Sequence, residues 1–105
     1  MVSWSKPAQN DLKNIYTYIH PDSPVLAQRV IGTVVQKVSL LNTFPEMGRI
    51  VLEREDQLFR ELLIYSYRIV YTVRDQKVFI VTIIHSKQDF GSTLIEKIDG
   101  AENNH

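Results

Sequence analysis

A chain of 105 residues with 44% hydrophobic side chains fits one domain around one packed core. The absence of cysteine excludes a disulfide framework, cysteine nucleophiles and thiolate metal sites, and suits a reducing cytoplasm. Twelve Lys and Arg balance twelve Asp and Glu, which counts against free, non-specific nucleic-acid binding but leaves room for a local cluster of cations.

The N-terminus shows no charged-then-apolar leader, since Pro7 and Asn10 interrupt any such run. No apolar stretch approaches the ~20 residues of a membrane span. The alternation of Val2 and Trp4 with Ser3 and Ser5 predicts a first strand. Ser5 can cap a following helix, with Pro7 in its first turn. That helix is predicted from about Lys6 to His20, with Ala8, Leu12, Ile15, Tyr16 and Ile19 on one stripe. Pro21 and Pro24 break it, and Ser23 caps a second helix predicted from about Pro24 to Asn42. Its buried face reads Ala27, Val30, Ile31, Val34, Val38 and Leu41. A connection this short makes the two helices an antiparallel hairpin.

After Gly48 the hydrophobic period changes from helical to alternating. Arg49–Glu53 reads as a charged edge strand, followed by Leu58–Tyr65 and Tyr67–Val73, with Ser66 at a turn or bend between them. Arg74–Lys77 is a polar hairpin loop, and Val78–His85, apolar on both faces, belongs in the sheet interior. Leu94, Ile95 and Ile98 suggest a short C-terminal helix, and Gly100–His105 a frayed tail, so that the domain spans residues 1–99. The expected class is α+β: an N-terminal strand, an antiparallel helix pair, then a mainly antiparallel twisted sheet.

Strict alternation along the central strand puts Tyr67, Ile69, Tyr71 and Val73 on one face and Arg68, Val70 and Thr72 on the other. The same rule puts Phe79, Val81, Ile83 and His85 on one face of the last strand. Arg60, Arg68, His85 and Lys87 are thereby expected near one sheet face, where they could hold a phosphate: arginine offers a planar fork to phosphate oxygens and histidine transfers protons near neutral pH. The competing reading makes Arg68 an ion-pairing residue with Glu61 or Glu53, Arg49 and Arg60 structural, and Tyr67 and Tyr71 core. His20, His85 and His105 lack metal-ligand spacing, so neither a metal nor a cofactor is expected.

Several short signals, in order, resemble the RelE/ParE superfamily of type II toxin–antitoxin toxins. They are Trp4-Ser5 before Ala8 and Leu12-x-x-Ile15; Ser23-Pro24 before Ala27; Phe44-Pro45-Glu46-Met47-Gly48-Arg49; Arg60-Glu61-Leu62; Tyr67-Arg68-Ile69-Val70-Tyr71; and Ile84-His85-Ser86-Lys87-Gln88-Asp89. The resemblance covers roughly Val2 to Phe90. It implies a bacterial, cytoplasmic toxin of plasmid-stabilisation type, held in a hetero-oligomer by an antitoxin that wraps it. The Pro-x-x-Gly-Arg turn, the Arg-Glu-Leu segment and the histidine ending the last strand look ParE-like, which implies DNA gyrase as target, no enzymatic activity, and Arg49, Arg60 and Arg68 as contact residues. The RelE-like alternative implies a ribosome-dependent mRNA endoribonuclease using Arg68, His85 and Lys87. Two RelE-type marks are missing: the stretch before the central strand is Leu62-Leu63-Ile64-Tyr65 rather than lysine-bearing, and no tyrosine follows Lys87.

Overall fold

The computed structural model describes residues 1–85 and 97–100. The order is β1 (Val2–Trp4), α1 (Lys6–Ile19), α2 (Pro24–Ser39) with a 3₁₀ turn at Leu40–Asn42, β2 (Arg49–Ile50), β3 (Phe59–Ile64), β4 (Tyr67–Arg74) and β5 (Lys77–His85). Residues 97–100 are helical and are called α3. The strands form one sheet in the order β1-β5-β4-β3-β2, antiparallel except for β1 beside β5. This is the expected α+β class, and α3 is the described part of the anticipated C-terminal helix, Leu94 and Ile95 lying outside the described residues.

Both helices begin where the caps were read. Ser5 Oγ accepts the Ala8 N–H at 3.0 Å and Ser23 Oγ accepts the Leu26 N–H at 3.1 Å, with a proline in the first turn of each helix. A cap satisfies one of the N–H groups that a helix start leaves without a partner. The second helix is shorter than expected, because at Leu40 the chain tightens into the 3₁₀ turn. Ala8, Val34, Val38 and Leu41 then pack on Ile64, Ile69, Tyr71, Val78, Ile80 and Ile83 of the sheet. Leu12, Ile15, Val2 and Trp4 seal the margin.

The opposite face carries a second core of Val51, Phe59, Val70, Val81 and Ile84, closed by Ile98 of α3. The sheet is therefore buried on both sides, which explains why Val78–Ile84 shows no polar face.

Two departures from the expected strands matter for the site. β2 stops at Ile50, so Glu53 lies in the β2–β3 connection rather than on an edge strand. The second departure is in β5. Val70 pairs with Thr82 but Tyr71 pairs with Ile80, so Val81 is an extra residue opposite one step of β4. This β-bulge resets the alternation. Ile83 joins Val78 and Ile80 in the helix-side core, while Val81 and Ile84 lie in the outer one. The alternation expected for the last strand fails beyond Val81 for this reason.

Beyond Ile80, β5 has no strand on its β1 side among the described residues. Side chains replace it. Ser5 Oγ donates to the Val81 carbonyl at 2.7 Å, Asp11 Oδ2 accepts the Ile83 N–H at 2.9 Å and the Thr82 hydroxyl at 2.7 Å, and Lys97 Nζ donates to the Ile83 carbonyl at 3.1 Å. Buried backbone groups need partners, and three side chains from outside the sheet supply them.

Candidate functional site

The outer face of β3 and β4 is organised around Arg68. Arg68 is 5% exposed, and it lies there because β4 alternates Tyr67, Ile69 and Tyr71 toward the helices. Arg68 Nε donates to Glu61 Oε2 at 2.5 Å, and its Nη2 also pairs with that oxygen. Nη1 and Nη2 form a fork on Glu53, at 2.8 and 2.9 Å. Arg49, opposite Glu61 in the β2–β3 register, donates from Nε to Glu61 Oε1 at 2.7 Å. The result is a neutral quartet of two arginines and two glutamates.

Its electrostatics follow from that geometry. The Arg68 hydrogen bonds hold the Glu53 carboxyl below the usual carboxylate range. The Glu53 hydrogen bonds, with Glu61 behind them, push the Arg68 guanidinium above its already high value. Glu53 and Glu61 accept from donors already in place, so the quartet offers Arg68 to its own acids before any outside anion.

Arg60 faces the other way. It pairs with Tyr71 across β3 and β4, and its Nη1 donates to the Gly48 carbonyl at 2.7 Å and the Glu46 carbonyl at 3.3 Å. Tyr71 completes the clamp, accepting the Gly48 N–H at 2.9 Å and donating to the Pro45 carbonyl at 2.8 Å. Burial raises the Tyr71 phenol. Gly48 is required here on packing grounds: a Cβ would lie 2.6 Å from Tyr71 Oη and 2.7 Å from the Glu61 carbonyl.

His85 pairs with Tyr67, and the two rings meet edge to face with centroids 5.3 Å apart. Tyr67 packs on the helix-side core, so the bulge has carried His85 to the face opposite Arg68. Lys87 lies outside the described residues. The expected cluster of Arg60, Arg68, His85 and Lys87 on one face is thus not what forms. Arg49 and Arg68 are brought together on Glu61, Arg60 is engaged with the 45–48 loop, and His85 is on the other side of the sheet.

Sequence reasoning named Glu53 and Glu61 as ion partners but missed Asp11, which looks like an ordinary wet helix position. It also missed Arg54, which pairs with Asp56 and Asp99 at 2.6 Å each and sits 4.7 Å from the centroid of Phe59, tying the β2–β3 connection to α3. The acids around Arg54 in Glu53-Arg54-Glu55-Asp56 gave a local hint; Asp99 lies 45 residues away. Among the described residues no helix is long and apolar enough to cross a membrane.

The match to known proteins is decided over residues 2–90, which fit the family model described as ParE toxin of the type II toxin–antitoxin system parDE. The chain belongs to the ParE toxin family. A search of curated proteins returned no match. Among solved structures, the chromosomal ParDE toxin–antitoxin system of P. aeruginosa superposes with a TM-score of 0.70 at 20% identity, covering 82% of this chain and 95% of that one. The toxin–antitoxin complex RelBE2 of Mycobacterium tuberculosis superposes with a TM-score of 0.59 at 21% identity, covering 81% and 95%. This chain is therefore a toxin of a type II toxin–antitoxin system with the fold shared by ParE and RelE toxins. In this ParE-family chain the arginine of the Tyr-Arg-Ile-Val-Tyr strand is a buried, doubly ion-paired residue.

Proposed function

We propose that this ParE-family toxin arrests growth by binding DNA gyrase as one protein binds another, without chemistry of its own, and that a cognate antitoxin neutralises it in the cytoplasm. The observation that carries the reading is the engagement of Arg68 by Glu53 and Glu61, with His85 on the opposite face. Cleavage of RNA through its 2′-hydroxyl needs a base, an acid and a cation converging on one phosphate. The described arginines and His85 do not converge, which favours the non-enzymatic alternative over the endoribonuclease. The antitoxin is supported by the family and by the ParDE and RelBE2 neighbours, each a toxin–antitoxin system.

Purified toxin added to a gyrase supercoiling reaction is expected to inhibit it, and induction in cells is expected to raise the SOS response. Supercoiling that continues at high molar excess of folded toxin defeats the proposal. The double variant His85→Ala with Lys87→Ala separates the alternatives without disturbing Arg68. Toxicity is retained on the gyrase reading; its loss, together with mRNA cut at ribosomal A-site codons in the parent, assigns the chain to the nuclease reading.

A further inference from the structure

At the end of the sheet away from His85, the 45–48 loop, the β2–β3 connection, β3 and β4 enclose a cavity of about 200 Å³. Glu46, Gln57, Leu58, Arg60 and Val73 line it. The Arg60 guanidinium is held in place by its Nη1, which donates to the Gly48 and Glu46 carbonyls. Its side-on edge, Nε and Nη2, has no hydrogen-bond partner among the described residues. The Glu46 carboxyl shares the cavity with this edge, yet the two side chains form no ion pair, because Arg60 takes the Glu46 carbonyl instead. The Glu46 side chain has no other hydrogen-bond or ion-pair partner among the described residues. Two further features lie in the wall. Gln57 holds φ at 58°, an uncommon conformation for a residue other than glycine and one that clusters at ligand sites. Leu58 is 60% exposed, an apolar surface that a ligand would cover.

We infer that this cavity binds a free α-amino acid with an aliphatic side chain. The ligand carboxylate sits on the Nε–Nη2 edge of Arg60, its ammonium on the Glu46 carboxyl, and its side chain against Leu58 and Val73. The lining chooses this class. Arginine offers a planar fork that matches a carboxylate with two parallel hydrogen bonds. A simple anion there would meet Glu46, and a simple cation would meet Arg60, so the ligand must carry both charges close together. An α-amino acid carries them on one carbon atom. The volume is below the ~300–1,000 Å³ of drug-sized ligand sites, which excludes a nucleotide and suits a molecule of leucine's size. Because two backbone carbonyls already fix the guanidinium, little side-chain freedom is lost when its free edge is used. The cavity shares no residue with the Arg68 quartet, so the inference stands apart from the gyrase reading.

The test uses the full chain and L-leucine as probe, followed by isothermal titration and by backbone amide shifts. Leucine is expected to shift Glu46, Gln57, Leu58, Arg60 and Val73, with affinity falling as salt rises. Two half-ligands dissect the charges: 4-methylpentanoate lacks the ammonium and 3-methylbutylamine lacks the carboxylate. Each should bind at least ~10-fold more weakly than leucine, the loss of one charge-assisted hydrogen bond. Glu46→Gln should weaken leucine by a similar factor. Since that side chain is exposed and has no partner to lose, the melting midpoint should match the parent's. The same variant should bind 4-methylpentanoate at least as well as the parent does, because the repelling acid is gone. That crossed pattern supports the site. No amide shift with millimolar leucine in the parent overturns it, as does a Glu46→Gln variant that binds leucine equally well. N-acetyl-leucine binding as tightly as leucine also overturns it, in favour of the C-terminal end of a peptide.

Discussion

At the scale of single residues, Arg68 illustrates how a recognisable motif position takes its meaning from its neighbours. Removing the guanidinium leaves Glu61, 2% exposed, as a buried charge with only the exposed Arg49 beside it. Arg68→Ala is therefore expected to destabilise the fold by about 3–5 kcal/mol in urea unfolding, whereas exchange of Arg68 and Glu61 together for apolar residues of similar size should cost much less. Glu53 contributes a pH dependence. Its folded pKa is lowered, so its stabilisation is complete above its unfolded pKa and is lost as pH falls from about 4.3 through the lower folded value. In Glu53→Gln the stability curve should be flatter across that acid window, and an unchanged slope would show that the pairing is not maintained in solution. Gly48 makes the opposite point, since its requirement is steric. Gly48→Ala drives a methyl toward the Glu61 carbonyl and the Tyr71 ring, and about 1–3 kcal/mol of destabilisation is expected by thermal unfolding. Tyr71→Phe should not rescue it, because the backbone oxygen remains.

At the scale of elements, the helices and their caps could be read from the chain, and β5 could not. The cap residues and apolar stripes of α1 and α2 are local signals, set by spacing of three to four residues. The face of a strand residue depends on counting by two from one end, and a single extra residue inverts everything after it. Val81 is that residue. It carries His85 away from Arg68, and no local feature of Ile80-Val81-Thr82 marks it. The covering of the β5 edge beyond Ile80 is likewise non-local. Asp11 replaces a strand there from 72 residues away in the chain. Asp11→Ala should leave the Ile83 N–H without its partner and cost about 1–3 kcal/mol. Hydrogen exchange checks this directly: the Ile83 amide should lose protection while α1 amides keep theirs, and an Ile83 amide as slow as in the parent would refute the role given to Asp11.

At the scale of the molecule, one sheet carries two cores, and the second is completed by α3. Ile98 is fully buried among Val51, Phe59, Val70, Val81 and Ile84, while Lys97 and Asp99 pair with Asp11 and Arg54 on either side. Ile98→Ala is expected to cost about 2–5 kcal/mol, in the range of large-to-small core changes, with a cooperative transition retained because the helix-side core is intact. A cost below 1 kcal/mol would mean that α3 contributes little to the outer core.

The amino-acid sequence by itself determined the α+β class, the two capped helices, the tyrosine face of β4 and the toxin family, because each rests on short-range periodicity, capping chemistry or ordered short motifs. Only the tertiary structure decided the company of each charged residue. Glu53 reaches Arg68 because β2 ends early, His85 leaves that face because β5 bulges, and Asp11 meets Ile83 because β1 is too short to cover the edge. Each of these depends on where separate elements stop relative to one another in space, and that is a property of packing that no local window of the chain contains.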